Sequence, residues 1–316
     1  MKNIKFLFND FILFFRKDFN LGAYAYTIAV TTLSIVIIYC TPIGNALAYN
    51  RIPTSNVLVN SILMFVVIYF IIVIPTLIIR GELRTVSKKS LFLKGLLFMC
   101  LIGFSTAFSN WDMLPLDMFS TNEQSYILKA LWRMCNLIFV FPVLVFMRLA
   151  FDKDVNGLYG LSKGKHHIKA YLSLYVVILP ILIIVSFTPD FLSYYPIYKP
   201  WDFEGAFNRP LWLNSAIFEI IYLSDFLMVE MIFRGALVIG MASILGRKAV
   251  LPMIAVYVAL HFGKPVMETI SAFFGGYFLG ALAFQTRHIW GGVIIHMGIA
   301  FIIELLRFFQ HFALGM

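Results

Sequence analysis

The chain has 316 residues, of which 61% are hydrophobic and 13% charged. Soluble domains are roughly 45–50% apolar and about 25% charged. A core of this length cannot hide the excess, so composition excludes a soluble protein and predicts an all-α, polytopic integral membrane protein. The formal net charge of +9 lies between apolar segments rather than on one surface, which assigns it to loop topology and excludes nucleic acid as a partner.

Residues 1–20 form the first region. Lys2, Lys5, Asp10, Arg16 and Lys17 alternate with Ile4, Phe8, Phe11, Phe15 and Phe19 at helical spacing. This predicts an amphipathic helix lying in the membrane interface; the alternative is a charged extension of the first span. A secretory signal peptide is not expected, because charges are scattered through the N-terminal stretch and no small-residue cleavage site follows it.

Residues 21–210 read as N-terminal transmembrane helices, and 211–310 as a distinct core. Apolar runs near the ~20 residues needed to cross a bilayer fall at about 22–40, 57–79, 91–108, 127–148, 170–187, 211–233, 249–262, 266–285 and 289–309. The seventh is short and bounded by Gly263 and Pro265, and 235–247 reads either as a half-helix or as a continuation of the sixth. Eight or nine crossings follow. Lys and Arg concentrate in 80–89 (Arg80, Arg84, Lys88, Lys89), in 149–169 (Lys153, Lys163, Lys165, Lys169) and at Arg247, Lys248 and Arg287. The intervening loops are poor in them: 41–56 has only Arg51, 109–125 has none, and 188–210 has Lys199 and Arg209. The positive-inside rule then places the N-terminus in the cytoplasm. Trp111, Trp201, Trp212 and Trp290 fall near expected interfaces, and the aromatic, proline-rich 188–210 loop is expected to cap the bundle. Cys40, Cys100 and Cys135 lie in or beside apolar runs, an odd number with no metal-ligand spacing, which argues against a disulfide framework.

Ionisable side chains inside lipid-spanning helices are costly and mark sites by default. Glu230 and Arg234 lie one helical turn apart and share a face. Tyr257 and His261 share one in the next segment, as do His296 and Ala300 in the last. Three helices are thus expected to direct polar groups into one interior cavity. The bland readings are a buried Glu230–Arg234 ion pair, more natural for Arg234 than a catalytic role, and core histidines satisfied by backbone carbonyls. Asp225 and Glu219 face an undetermined side of the sixth span. Lys129 and Arg133 are expected to snorkel, and Gly276 and Gly280 to serve close helix packing. His166, His167, His288 and His311 require no special role.

These residues carry a resemblance. The segment VEMIFRG (Val229–Gly235) resembles the EExxxR motif of the CAAX prenyl protease and bacteriocin-processing (CPBP, or Abi) family of intramembrane proteases. YVALH (Tyr257–His261) is similar to its FxxxH motif. SAFFGGYFLGALAFQTRHIWGGVIIHMGIAF (Ser271–Phe301) is similar to its closing region, which ends in HxxxN or HxxxD. The resemblance covers about the last third of the chain. It implies a bundle of about eight helices and peptide-bond hydrolysis in or beside the membrane, with the glutamate pair and the first histidine activating water. The second histidine and the Asn or Asp after it would stabilise the oxyanion. On this chain the expected catalytic residues are Glu230, His261 and His296, with Asp225 a possible auxiliary and Arg234 a structural partner. No cofactor is expected; a metal at His261 and His296 is the alternative that the resemblance leaves.

Two positions depart from the pattern: the first glutamate of the pair is Val229, and the Asn or Asp of the third motif is Ala300. Valine neither accepts a proton nor binds water. Losing a general base typically forfeits 10²–10⁴-fold and losing an oxyanion donor about 10²–10³-fold. The expectation is therefore a homologue in the bacterial cytoplasmic membrane with weakened or lost peptidase activity, which binds a membrane-embedded protein or peptide. The alternatives are an active endopeptidase processing prenylated or leader peptides through Glu230, His261 and His296, a role in bacteriocin immunity, and a transporter or channel. The last is disfavoured by the absence of an inverted repeat.

Overall fold

The computed structural model describes residues 2–42, 44, 57–108, 110–155, 157–162, 167–203 and 206–315. Arg51, Lys163, Lys165 and His166 lie outside the described residues. The described residues fold as helices, eight of whose runs are long and apolar enough to cross a membrane. The chain is an all-α, multi-pass integral membrane protein.

Helix α1 (Lys2–Asp18) precedes five spans: α2 (Leu21–Cys40), α3 (Val57–Ile79), α4 (Lys89–Ala107), α5 (Thr121–Ala150) and α6 (Ile168–Val185). Their positions follow the apolar runs closely, because a bilayer leaves a backbone no option but internal hydrogen bonding. The sixth run, Leu211–Ala259, joins two segments that the sequence separates. It comprises α7 (Leu211–Glu230), a π-helical stretch Met231–Gly240, a break at Gly246 (φ 59°) and α8 (Val250–Ala259). Helix α8 is only 10 residues long, about 15 Å at 1.5 Å per residue, half of a hydrocarbon core. Helices α9 (Val266–Thr286) and α10 (Trp290–Leu314) complete the chain.

The π-helical stretch is fully buried, and its wide turns accommodate a neighbouring backbone. A Cβ on Gly235 would stand 2.6 Å from the Tyr159 carbonyl oxygen, and one on Gly240 2.6 Å from the Tyr159 ring. Tyr159 is itself anchored by donating its hydroxyl to Asp152 Oδ2 (2.6 Å), and Asp152 also pairs with Lys94. Gly276 and Gly280 admit Tyr257 and Met253 of α8 against α9, the close packing that their spacing predicts.

Helix α1 packs on α9 through Leu7, Phe11 and Phe14, with Phe11 and Phe14 against Tyr277 and Phe14 also against Phe284. Of the stripe read from the sequence, Phe8, Phe15 and Phe19 are exposed, and the face that packs on the bundle carries Leu7, Phe14 and Asp18, which are buried. The helix is apolar on more than one face, so periodicity did not single out the face that packs.

The basic segments meet at one end of the bundle. Arg80 contacts Asp18 at 3.3 Å, Lys248 contacts Glu82 at 2.7 Å, and Trp290 Nε1 donates to the Ser162 carbonyl at 3.0 Å. At the other end residues 188–203 pack over the helix ends. Phe191, Tyr195, Tyr198 and Phe203 are buried, Tyr198 stacks on Phe203 and Phe218, and the Ile197 amide donates to Glu304. The three cysteines are free thiols.

Candidate active site

Glu230 ends α7 and is completely buried. An unpaired carboxylate there would cost several kcal/mol, and two donors satisfy it. Arg234 Nη1 donates to Oε1 at 2.8 Å, and His296 Nδ1 donates to the same oxygen at 3.1 Å. Oε2 has no hydrogen-bond partner and presses on α10 where Gly292 leaves room; a Cβ there would stand 1.9 Å from it. The Glu230–Arg234 ion pair expected from the i, i+4 spacing is thus present, but it is extended to the second histidine.

Tyr257 links the halves of the constellation. Its ring lies under the Arg234 guanidinium (4.3 Å to the centroid), and its hydroxyl is 3.3 Å from His296 Nε2. With Nδ1 donating to Glu230, Nε2 accepts from the Tyr257 hydroxyl, so both ring nitrogens of His296 are engaged. The Tyr257 carbonyl, one turn on, accepts from His261 Nδ1 at 2.8 Å. A carbonyl only accepts, so the proton of neutral His261 sits on Nδ1 and the lone pair on Nε2.

A cavity of about 440 Å³ lies against this set. His261 and His296 both line it, as do Asp225, Val229, Lys264 and Arg133. Glu230 does not; it sits behind the wall, occupied by Arg234 and His296. Val229 stands on the wall where the family motif carries its first glutamate. Asp225, one turn earlier on the same face, accepts from Asn136 Nδ2 at 2.8 Å. Ala300 is buried in an aromatic cluster with Tyr126, Tyr198 and Tyr222 and is not among the residues that line the cavity. Glu219 is also absent from the cavity lining. Arg133, expected to snorkel, lines the cavity instead, with its guanidinium 5.0 Å over the Tyr222 ring.

Three residues of the site carry no sequence signal of a role. Glu268, in the first turn of α9, receives Lys264 Nζ on Oε1 (2.8 Å) and the Tyr195 hydroxyl on Oε2 (2.5 Å). Its Oε1 also lies 3.8 Å from His261 Nε2. The Lys264–Glu268 spacing of four residues is present in the sequence, but nothing in that spacing ties the pair to His261. Tyr195 comes from the cap and has no periodic context. The turn carrying His261 and Lys264 is braced by Tyr39 of α2, whose hydroxyl donates to the Lys264 carbonyl at 2.7 Å and meets Thr269 Oγ1 at 2.6 Å.

Among the described residues, no group of three His, Cys, Asp or Glu side chains converges as metal ligands would. His296, with both nitrogens bonded, would have to surrender one partner to ligate an ion.

The same segment is defined by comparison with known proteins. Residues 211–302 match the family model for Rce1-like type II CAAX prenyl endopeptidases. No curated protein and no solved structure matches the chain. The matched segment is similar to the Rce1-like type II CAAX prenyl endopeptidases, and it is set in a multi-pass membrane protein.

Proposed function

We propose that the cavity binds a peptide segment of a membrane-embedded or lipid-anchored protein, and that its hydrolysis is weakened relative to family members with the complete motif. One observation carries this reading. Val229 shares the cavity wall with His261 and His296, while the carboxylate of Glu230 is turned away and consumed by Arg234 and His296. The wall combines an apolar surface with a few polar groups, as a peptide site requires. The basic end of the bundle is read as the cytoplasmic face of a cytoplasmic membrane, and α1, with Phe8, Phe15 and Phe19 exposed, as a helix in its interface.

The test is cleavage of a prenylated, fluorescence-quenched CAAX peptide by purified wild type and by Val229→Glu, alone and with Ala300→Asn. Restoring the wall carboxylate should raise the rate by about 10²-fold or more. A wild type as fast as the Val229→Glu variant would refute the weakened-enzyme reading.

A second reading is favoured by the position of Asp225. It lines the same wall one turn before Val229, and Asn136 fixes one of its oxygens, so hydrolysis with Asp225 as base is geometrically open. In that case Asp225→Asn should abolish the residual cleavage while leaving peptide binding intact.

A further inference from the structure

The carboxylate that approaches His261 is Glu268, outside every motif that the chain shares with the protease family. We propose that Glu268 is a positioning residue for a water held on His261, standing in for the acid absent at position 229; this rests on the peptide-binding reading above.

The geometry argues it in three steps. Nδ1 of His261 donates to the Tyr257 carbonyl, so Nε2 presents a lone pair. The group 3.8 Å away is Glu268 Oε1, which is also an acceptor. Two acceptors at that separation repel unless a donor lies between them, and 3.8 Å is too long for a direct hydrogen bond. A single water with legs of about 2.8 Å donates one hydrogen to each and directs its own lone pair away from both. His261 lines the cavity, so that lone pair is available to a bound peptide.

The surroundings hold Glu268 for this role. Lys264 Nζ and the Tyr195 hydroxyl fix its two oxygens, at 2.8 and 2.5 Å. Tyr39 and Thr269 fix the backbone that carries His261: Thr269 Oγ1 donates to the His261 carbonyl at 2.8 Å, and the Tyr39 hydroxyl donates to the Lys264 carbonyl at 2.7 Å. The charged and titratable groups around the imidazole are therefore Glu268 and Lys264, with Tyr257 and His296 behind. Glu268 offsets part of the penalty that burial and the Lys264 ammonium place on the imidazolium that forms when the ring accepts a proton.

The reaction balances without any further reagent. The water oxygen bonds to the scissile carbonyl carbon as its proton passes to His261 Nε2. The C–N bond then breaks, and the same proton passes from Nε2 to the departing amine. Glu268 neither gains nor loses a proton; it aims the water and steadies the charge on His261.

The test uses the full-length protein in detergent or liposomes with the prenylated, quenched CAAX peptide, following cleavage and, separately, binding by fluorescence anisotropy. Wild type is expected to bind the peptide and cleave it slowly. Glu268→Gln, which keeps the shape and loses the charge, is expected to lower kcat by about 10²-fold or more with KM and binding unchanged within about twofold. Glu268→Asp is expected to recover part of the loss, and thermal unfolding of each variant monitors the fold. Binding without any cleavage by wild type overturns this inference and leaves the peptide-binding reading standing. Loss of binding in wild type overturns both. Cleavage by Glu268→Gln at the wild-type kcat, or a fall in kcat matched by a rise in KM, also overturns it.

Discussion

Two spans of this membrane protein solve burial in opposite ways. In the most apolar stretch of Leu211–Ala259, 78% of residues are buried, against 11% in Ile168–Val185. The former holds Glu230 and Arg234 and touches its neighbours on all sides. The latter turns Val176, Ile181 and Ile184 outward and serves as a lipid-facing wall. Hydrophobicity alone does not distinguish them, since both are apolar enough to span. What separates them is a charged set that only surrounding helices can shield, so the site is where the packing is dense.

Breaking the shielded set should cost most. Glu230→Ala leaves Arg234 buried without its anion and frees His296 Nδ1, and removal of one partner of such a pair typically costs about 3–5 kcal/mol. The expected result is a large drop in thermal unfolding temperature of the purified protein, or loss of folded yield; an unfolding temperature equal to that of wild type would contradict the pairing. Gly292→Ala should follow, because its Cβ would stand 1.9 Å from Glu230 Oε2. Overpacking of this kind costs about 1–3 kcal/mol, measurable in the same assay, and Gly275→Ala, where a Cβ meets nothing within 4 Å, is the control.

Tyr39→Phe removes the hydroxyl that braces the His261 turn and should cost about 1 kcal/mol, with a loss of peptide cleavage larger than the loss of stability. At the other extreme, Ile184→Ala on the outward wall should change stability by less than about 0.5 kcal/mol and leave peptide binding as it was.

Sequence patterning reached some of this and missed the rest for identifiable reasons. The spans were legible because each is an uninterrupted apolar run, and the joining of α7 to α8 was the uncertain point, since Arg247 and Lys248 mark a turn without fixing how deep it lies. The relation of Glu230 to Arg234 follows from helical spacing. The engagement of His296 by Glu230 does not, because contact between α7 and α10 depends on Gly292, whose role shows only when two helices are placed together. The packing face of α1 does not follow from periodicity, because both Phe8 and Leu7 lie on apolar sides. Glu268 was invisible for a different reason: it acts on His261 across a turn, and its neighbour Tyr195 comes from a cap with no repeating pattern.

About half of the cavity wall lies outside residues 211–302: Asn60 and Met64 of α3, Thr106 of α4, Trp132 and Asn136 of α5, and Tyr194 of the cap all border it. The histidines and half of the chamber's wall thus lie in one stretch of the chain, and the other half, Arg133 included, in another. Substitution of Asn60, Met64 or Trp132 should therefore alter which peptide binds without disturbing a single histidine.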